Sequence, residues 1–194
     1  ARQRQWLWNQ LDAAEKRKDA ITAREVLVAL PRELGREQQV ELVRAFIREQ
    51  FTARGIIADL AVHAPHALDG QAQPHAHIML ADRPLDPAQP NGLAARKDRT
   101  LASPEGIRDL RAAWETHANH ALERGGLDLR LDRRSLAVQA AEALERAHDQ
   151  DRPEVEREQA LVSAAILDRQ PEPKIGPVAM QMHRQGRGEN AHAL

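Results

Sequence analysis

The chain has 194 residues, of which 42% are hydrophobic and 29% charged, and its net charge is −1. This composition indicates one ordinary globular domain with room for an appended helical segment, and it excludes a disordered tail or a peptide. No apolar run approaches the roughly 20 residues that span a bilayer, and no signal peptide opens the chain, so we expect a cytoplasmic protein.

Two residue types are absent from the chain. There is no cysteine, which excludes disulfides, thiolate metal ligands and thiol nucleophiles, so any metal site must use His, Asp or Glu. There is no tyrosine either, and the chain begins at Ala1 without a methionine. We therefore expect a fragment whose natural N-terminus lies upstream. The slightly negative net charge means that a nucleic-acid partner would need a local basic patch.

The first elements alternate between helical and strand periodicity. Amphipathic spacing predicts a helix from Trp6 to about Ala20 and a second one over residues 36–53, which Gly55 ends. Between these helices, strict alternation over residues 22–30 predicts a strand.

Two further strands are predicted, each with one apolar face. In residues 55–63 the even-numbered positions are apolar, whereas Asp59 and His63 share the other face. In residues 75–80 the even-numbered positions are again apolar, and His75 and His77 share the opposite face. The loop of residues 64–74 is too short for a parallel crossover, which predicts an antiparallel pair.

The rest of the chain predicts a loop followed by helices. Residues 84–100 have the composition of a loop with a basic end. Ser103-Pro104 is typical of an N-cap and first helical position, and residues 136–170 predict helix broken near Pro153. The predicted buried stripe of the helix after Ser103 is Ile107, Leu110, Trp114, Ala118, Ala121 and Leu122.

The histidines on the two adjacent strands predict a metal site. Pairing would bring His63, His75 and His77 together on one face of the sheet. Three neutral imidazole nitrogens hold a divalent transition metal and leave coordination positions open, which suits a Lewis acid that grips a phosphate oxygen.

The remaining candidate residues near this site are two acids and one further histidine. Asp59 shares the strand face of His63 and could orient a ligand imidazole or help to activate a nucleophile, and the same argument applies more weakly to Glu25. His66 lies in the intervening loop, where no strand places it, so we leave it out of the ligand set. Histidines to which we assign no role are His117, His120, His148, His183 and His192.

These residues resemble a known family. The runs Asp59-Leu-Ala-Val-His63 and Gln73-Pro-His-Ala-His-Ile-Met-Leu80, with Arg83 close behind, are similar to the three-histidine motif of the MobA/MobL (MobQ-type) plasmid mobilisation relaxases of the HUH endonuclease superfamily. The resemblance covers most of residues 6–136, together with 173–188. Further matching runs are Leu7-Trp8-Asn9, Ala23-Arg-Glu25, Ala29-Leu-Pro-Arg-Glu-Leu34, Trp114-Glu-Thr-His-Ala-Asn119, Ala121-Leu-Glu-Arg-Gly-Gly126, Leu131-Asp-Arg-Arg-Ser-Leu136 (the last resembling a later strand) and Ile175-Gly-Pro177.

The resemblance implies an α+β fold. Its central antiparallel sheet would have helices packed on one face and the three-histidine metal site, with the DNA, on the other, while an N-terminal strand and a nucleophile segment would be missing from this chain. The expected divisions are a relaxase core lacking its N-terminus at residues 1–136, a charged helical insertion at 137–170, and a closing segment and tail of the same domain at 171–194.

The resemblance also implies an activity. A relaxase nicks one DNA strand at a plasmid origin of transfer for conjugative mobilisation. A tyrosine, expected upstream of this chain, attacks the scissile phosphate and stays joined to the 5′ phosphate, so the fragment alone is expected to be inactive. The expected cofactor is a divalent metal ion, Mn²⁺ or Mg²⁺, with Zn²⁺ and Ni²⁺ also open.

The partners expected from the resemblance are single-stranded DNA at the origin, accessory relaxosome proteins and a coupling protein. Residues expected to contact DNA phosphates are Arg83, Arg96, Lys97, Arg133 and Arg134. One departure affects this set, because Asp132-Arg133-Arg134-Ser135 stands where the family usually has Asp-His-Arg-Ser.

Three other functions remain open from the residues. A rolling-circle replication initiator shares the histidine, metal and tyrosine chemistry. A non-catalytic DNA- or metal-binding module would lack the tyrosine altogether. A metal-dependent hydrolase would use water as its nucleophile and would leave no protein adduct on the nicked DNA.

Overall fold

The computed structural model describes residues 2–66 and 70–169, and the chain divides into two compact units at Arg133–Arg134. The predicted closing segment at 171–194 lies outside the described residues, and the predicted division into three segments stays a prediction. In the first unit the elements are α1 (Arg2–Ala13), β1 (Ala23–Ala29), α2 (Arg36–Gln50), β2 (Ala58–His63), β3 (His75–Ala81) and α3 (Pro104–Arg124). In the second unit they are α4 (Leu136–His148) and α5 (Glu154–Leu167).

An antiparallel sheet lies at the centre of the first unit. Its described strands run in the order β1-β3-β2, so that β3 pairs with a strand on each side. The register places His63 directly opposite His75 and Leu27 directly opposite His77. The predicted antiparallel pairing of the two histidine-bearing strands is confirmed.

The apolar face of the sheet packs against α2 and α3. Alternation along β3 buries Ala76, Ile78 and Leu80 on this face, as the period of two predicts. Phe46 of α2 packs edge-on against Trp114 of α3, with ring centroids 5.1 Å apart. Burial of side chains this large contributes about 1.5–3 kcal/mol each, so this layer holds the sheet against the two helices.

Helix α1 lies on the other face of the sheet, at the end of β3 that is far from the histidines. Leu11 is buried there with Ala81 and Leu93. The helix ends at Ala13, well before the predicted end near Ala20. The charged residues after Ala13 resemble the outer side of a helix, but Glu15 instead forms ion pairs with residues distant in sequence.

Helix α2 ends at Gln50, three residues before the predicted end at residue 53. A short 3-10 turn over Thr52–Arg54 follows α2, and Gly55 then adopts φ 74°. The left-handed region favours glycine because it has no Cβ. The predicted stop at Gly55 is confirmed, although the α-helix itself ends at Gln50.

Helix α3 begins where the sequence predicts. The Ser103 hydroxyl accepts a hydrogen bond from the backbone N–H of Gly106, and Pro104 occupies the first position. The predicted buried stripe is correct at Trp114 but not at Ile107, which is 43% exposed. Ile107 lines a cleft of about 890 Å³ along β1 and does not reach the core.

The strand expected near Leu131 is not formed. Residues 127–133 have no strand assignment, because the Leu131 N–H donates to Oδ1 of Asn119 and the Leu131 carbonyl accepts from Nδ2 of Asn119. One side chain of α3 thus satisfies backbone groups that a strand would pair with a neighbour.

The second unit is a helical hairpin. Helices α4 and α5 are separated by a break that includes Pro153, as predicted. Their buried residues are Ala140 and Ala143 in α4 and Ala160 and Ala164 in α5. Across the described ranges, no helix is both long and apolar enough to cross a membrane.

Candidate metal centre

Three histidines converge on the polar face of the sheet. His63 ends β2 directly opposite His75, the first residue of β3, and His77 follows two positions along β3 on the same face. One ligand nitrogen from each ring can be chosen so that all three lie within 4.8 Å of one another. The predicted convergence is confirmed in geometry, because a period of two keeps alternate residues on one face.

Two of the three rings are held by hydrogen bonds that their Nδ1–H groups donate. The distance from His75 Nδ1 to the Gln73 carbonyl is 2.9 Å, and that from His77 Nδ1 to Oε1 of Glu25 is 2.7 Å. An N–H that donates to these acceptors fixes the tautomer in which Nε2 keeps its lone pair. His63 has no such partner within the part of the chain that the structure describes, so its ring is the least constrained.

The donor set fits a divalent metal ion. Three neutral nitrogen donors with orienting acceptors behind two of them are typical of protein sites for transition metals. Three ligands leave coordination positions open, and His63 is exposed while His75 and His77 are partly buried. A ligand that approaches from solvent could therefore reach an ion held by the three imidazoles.

The two predicted acids are placed differently. Glu25 lies beside the histidines and contacts His77. The carboxylate of Asp59 is 16% exposed and, among the described residues, pairs with none of the three clustered histidines; its Oδ2 accepts a hydrogen bond from Nε1 of Trp8 at 3.0 Å and pairs with the guanidinium of Arg4. Asp59 therefore fastens α1 to β2.

Arg83 and Lys97 are engaged in an internal ion-pair network. Both contact the carboxylate of Glu15, at 2.9 Å and 3.1 Å, and the side chains of Arg83 and Lys97 are each 17% exposed. Burial alone would raise the pKa of Glu15, but the hydrogen bonds and positive charges of Arg83 and Lys97 outweigh it and hold this pKa below its usual value. DNA contact by Arg83 and Lys97 stays a prediction. The structure does not favour it, because both side chains are already paired with Glu15.

This network is also distant from the histidines. It lies beyond Ala81, which is about 13 Å along the strand from His77 at roughly 3.3 Å per residue. Arg83 and Lys97 therefore cannot contact the same phosphate as the histidine cluster.

The other three predicted DNA contacts are more accessible. Arg96 is exposed, and its guanidinium has no partner among the described residues. Arg133 lies 3.1 Å from the Glu115 carboxylate, and Arg134 lies 2.6 Å from the Glu142 carboxylate. Binding of these three arginines to DNA stays a prediction.

The sequence interpretation assigned no role to two large apolar residues on the histidine face. Leu27 is 60% exposed and Met79 is 41% exposed. The same alternation that exposes the histidines puts both side chains on their face. That pattern could have identified them, because neither residue lies on the face that packs against α2 and α3.

The comparisons with known proteins confirm the family that the sequence resembles. The MobA/MobL family matches residues 1–150. The chain is 33% identical over 184 residues to the conjugal transfer protein TraA of Agrobacterium fabrum, covering 77% of this chain and 16% of that protein. It is 34% identical over 155 residues to mobilization protein A of Escherichia coli, covering 73% of this chain and 21% of that protein.

A solved structure is also similar. Its description reads "Molecular Basis of Vancomycin Resistance Transfer in Staphylococcus aureus". The two chains are 30% identical with a TM-score of 0.58, over 68% of this chain and 67% of that one. The chain spans only 16% and 21% of the length of the two curated relatives.

Proposed function

Because the chain belongs to the MobA/MobL family, we propose that it forms the metal- and DNA-binding part of a conjugative relaxase, which nicks one strand at a plasmid origin of transfer. The observation that carries this proposal is the cluster of His63, His75 and His77 on an exposed sheet face. The names of two relatives, a conjugal transfer protein and a mobilization protein, support the conjugative role.

The task of this chain is to grip and orient the scissile phosphate. His63, His75 and His77 would hold a divalent ion, Mn²⁺ or Mg²⁺ in the first instance, which when bound would polarise a phosphodiester oxygen. The three imidazoles are neutral ligands, so the site keeps the positive charge of the ion for the phosphate. Glu25 keeps the ring of His77 in the ligating orientation.

The nucleophile in this proposal is a tyrosine, as the family resemblance implies. Its hydroxyl would attack the phosphorus, release a free 3′ hydroxyl and remain bonded to the 5′ phosphate. These 194 residues contain no tyrosine, so cleavage needs that residue in addition to this chain. Asp59 takes part as a positioning residue through its contacts with α1.

From the family resemblance we further propose accessory relaxosome proteins and a coupling protein as partners, a cytoplasmic location, and DNA contacts by Arg96, Arg133 and Arg134. The second candidate function, which the residues leave open, is a non-catalytic module that binds metal and DNA.

Metal binding by the chain tests the site. We expect calorimetric titration with Mn²⁺ to give one site in the wild type and none in the variant with His63→Ala, His75→Ala and His77→Ala. His66→Ala is the matched control and should bind Mn²⁺ as the wild type does. Unchanged Mn²⁺ binding in the triple variant would overturn the assignment of the ligands.

Cleavage separates the candidate functions. The protein encoded by the longest reading frame that contains these residues is expressed. It is then incubated with Mn²⁺ and end-labelled single-stranded origin DNA. Protein joined to the new 5′ end supports the relaxase. Binding without cleavage supports the non-catalytic module, and cleavage with a free 5′ phosphate indicates water as the nucleophile.

A further inference from the structure

Helix α5 of the second unit exposes apolar side chains on the face that points away from α4. The two helices pack together, and α5 buries Ala160 and Ala164, which are 8% and 3% exposed. On the opposite side, Val155, Val162 and Ile166 are each at least 60% exposed. At about 3.6 residues per turn these three positions form one row along the helix, which we call the outer stripe. Helix α5 is therefore apolar on two opposite faces, of which the described residues cover only one.

The composition of α5 is that of a helix between two partners. A helix on the surface of a soluble protein is normally polar on its outer side, whereas a helix that is apolar on opposite faces is covered on both. Residues 159–167 include no charged side chain, so no charge in this part of the helix separates the apolar groups from one another. A contiguous apolar surface of this kind marks a site of protein contact.

The spacing of the outer stripe fits a second copy of itself. With Gln159 included, its positions are separated by four, three and four residues, and this spacing is the same in both directions along the helix. An antiparallel copy can therefore place Val155 beside Ile166 of the other chain. The same register places Gln159 beside Val162 of the other chain, so that each stripe position meets another. Twofold contacts of this self-complementary kind are the commonest in soluble oligomers.

The charges at the two ends of α5 favour an antiparallel pair over a parallel one. Residues 154–158 include three acids and one arginine, whereas the other end of the helix is followed by Asp168 and Arg169. A parallel pair would set the acidic ends of the two copies side by side, and such like charges repel. An antiparallel pair instead brings Glu154 of one copy near Arg169 of the other. Neither of these two residues has an ion-pair partner among the described residues.

The charge of the second unit also disfavours a nucleic acid as the occupant. Residues 134–169 contain eight acids and five arginines. An excess of acids repels the phosphates of DNA, which proteins bind through an excess of Lys and Arg. The stripe therefore fits a protein surface that is apolar and uncharged at its centre, as its own copy is.

We propose that the outer stripe of α5 is a homodimer contact, in which the α5 helices of two chains pack antiparallel against each other. The inference goes beyond the proposed function, because it assigns a second copy of this chain as a partner and does not involve the histidine cluster. The helix has 14 residues and is about 21 Å long at 1.5 Å per residue. A contact of this length is small, so the dimer should dissociate at roughly micromolar concentrations.

The test measures association of the full chain. Sedimentation equilibrium over a concentration series that spans the micromolar range gives the mass of the particle. We expect the wild-type mass to rise from one copy to two. Val162→Glu and Ile166→Glu should each weaken the dimer about tenfold or more, because a symmetric contact receives each new charge twice.

Val138→Glu is the matched control. Val138 is 50% exposed on α4, on the side of that helix opposite its buried residues Ala140 and Ala143. This variant should dimerise as the wild type does. Circular dichroism and Mn²⁺ titration should give the same result for all three variants and the wild type, because the changed residues are exposed and lie outside the histidine cluster.

Cross-linking distinguishes the two orientations. The chain has no cysteine, so Val155→Cys and Ile166→Cys each introduce a single thiol. In the antiparallel pair a short bismaleimide should join the two variants to each other when they are mixed. Neither variant should cross-link efficiently with itself, because like positions would lie about 16 Å apart along the helix axis. Efficient cross-linking of each variant with itself would indicate a parallel pair and would overturn the proposal.

Three other results would overturn the homodimer. They are a wild type that stays monomeric throughout the series, dimerisation of Val162→Glu and Ile166→Glu with wild-type affinity, and a mass that keeps rising beyond two copies, which would indicate unspecific association. If the wild type is monomeric and Val162→Glu changes its affinity for single-stranded DNA, the stripe contacts DNA and the homodimer is wrong. The Mn²⁺ titration tests the metal site separately, so the proposed function does not depend on these results.

Discussion

Nδ1 of His77 lies 2.7 Å from Oε1 of Glu25, and the two side chains lie diagonally across the β1–β3 ladder. A carboxylate that accepts from Nδ1–H fixes the imidazole and strengthens Nε2 as a ligand. The candidate metal centre therefore extends beyond the two strands that carry the histidines, because β1 supplies the group that orients one of them.

Glu25→Gln is expected to weaken Mn²⁺ binding about tenfold to a hundredfold, the range seen when such orienting groups are changed. The amide can still accept a hydrogen bond from Nδ1–H but lacks the negative charge that makes the imidazole a stronger donor. Calorimetric titration measures the effect. Glu41→Gln, an exposed position on α2, is the control, and equal Mn²⁺ affinity in the two variants would contradict the orienting role.

Asp59→Asn is expected to lower the free energy of unfolding by about 1–2 kcal/mol, because the carboxylate loses its charge-assisted contacts with Arg4 and Trp8. Urea unfolding followed by tryptophan fluorescence measures this change. Asp109→Asn, at an exposed position on α3, should have little effect. If Asp59→Asn weakens Mn²⁺ binding and leaves stability unchanged, Asp59 acts on the metal site and the anchoring role is wrong.

Glu15→Gln is expected to lower the free energy of unfolding at pH 7 by about 2 kcal/mol, because Arg83 and Lys97 lose their carboxylate partner. The folded-state pKa of Glu15 lies below its usual value. The stabilisation is therefore fully present above the unfolded-state pKa and is lost as the pH falls through the folded-state pKa. The difference between wild type and variant should shrink in urea unfolding series that extend into this acid range.

The control for the acid series is Asp19→Asn. Asp19 pairs with Arg17 on the exposed surface, and both side chains are at least 70% exposed. Such a pair contributes little to stability. A Glu15→Gln effect that stays constant down to the lowest pH would show that the charge of Glu15 is not what stabilises the fold.

Arg96→Gln and Arg83→Gln are expected to differ in effect. Arg96 is exposed without a partner in the described ranges, so its loss should weaken binding of single-stranded DNA. The slope of the logarithm of the DNA association constant against the logarithm of salt concentration should also become shallower by about one. Arg83 is paired with Glu15, so its loss should mainly lower stability. Anisotropy titrations at several salt concentrations, together with urea unfolding, measure both properties. The same salt slope in Arg96→Gln as in wild type would exclude a phosphate contact there.

The sequence by itself determined the strands and the face on which the histidines lie. A period of two in residues 55–63 and 75–80, with a short connecting loop, leaves few ways to bury the apolar positions, and each of them puts His63, His75 and His77 on the same face of the sheet. Ser103 and Pro104 fixed the start of α3 for a similarly local reason, since the cap bonds to a residue three positions away.

Only the tertiary structure decided which charged groups belong to the site. Glu25 reaches His77 across 52 positions of sequence, Asp59 is held by Trp8 across 51, and Arg83 is held by Glu15 across 68. The position of a charged residue in the sequence does not identify its ion-pair partner, because any opposite charge that folding brings near can pair with it. The candidate metal ligands could therefore be predicted from local alternation, whereas the contacts of the surrounding acids and arginines depended on how helix, loop and sheet pack together.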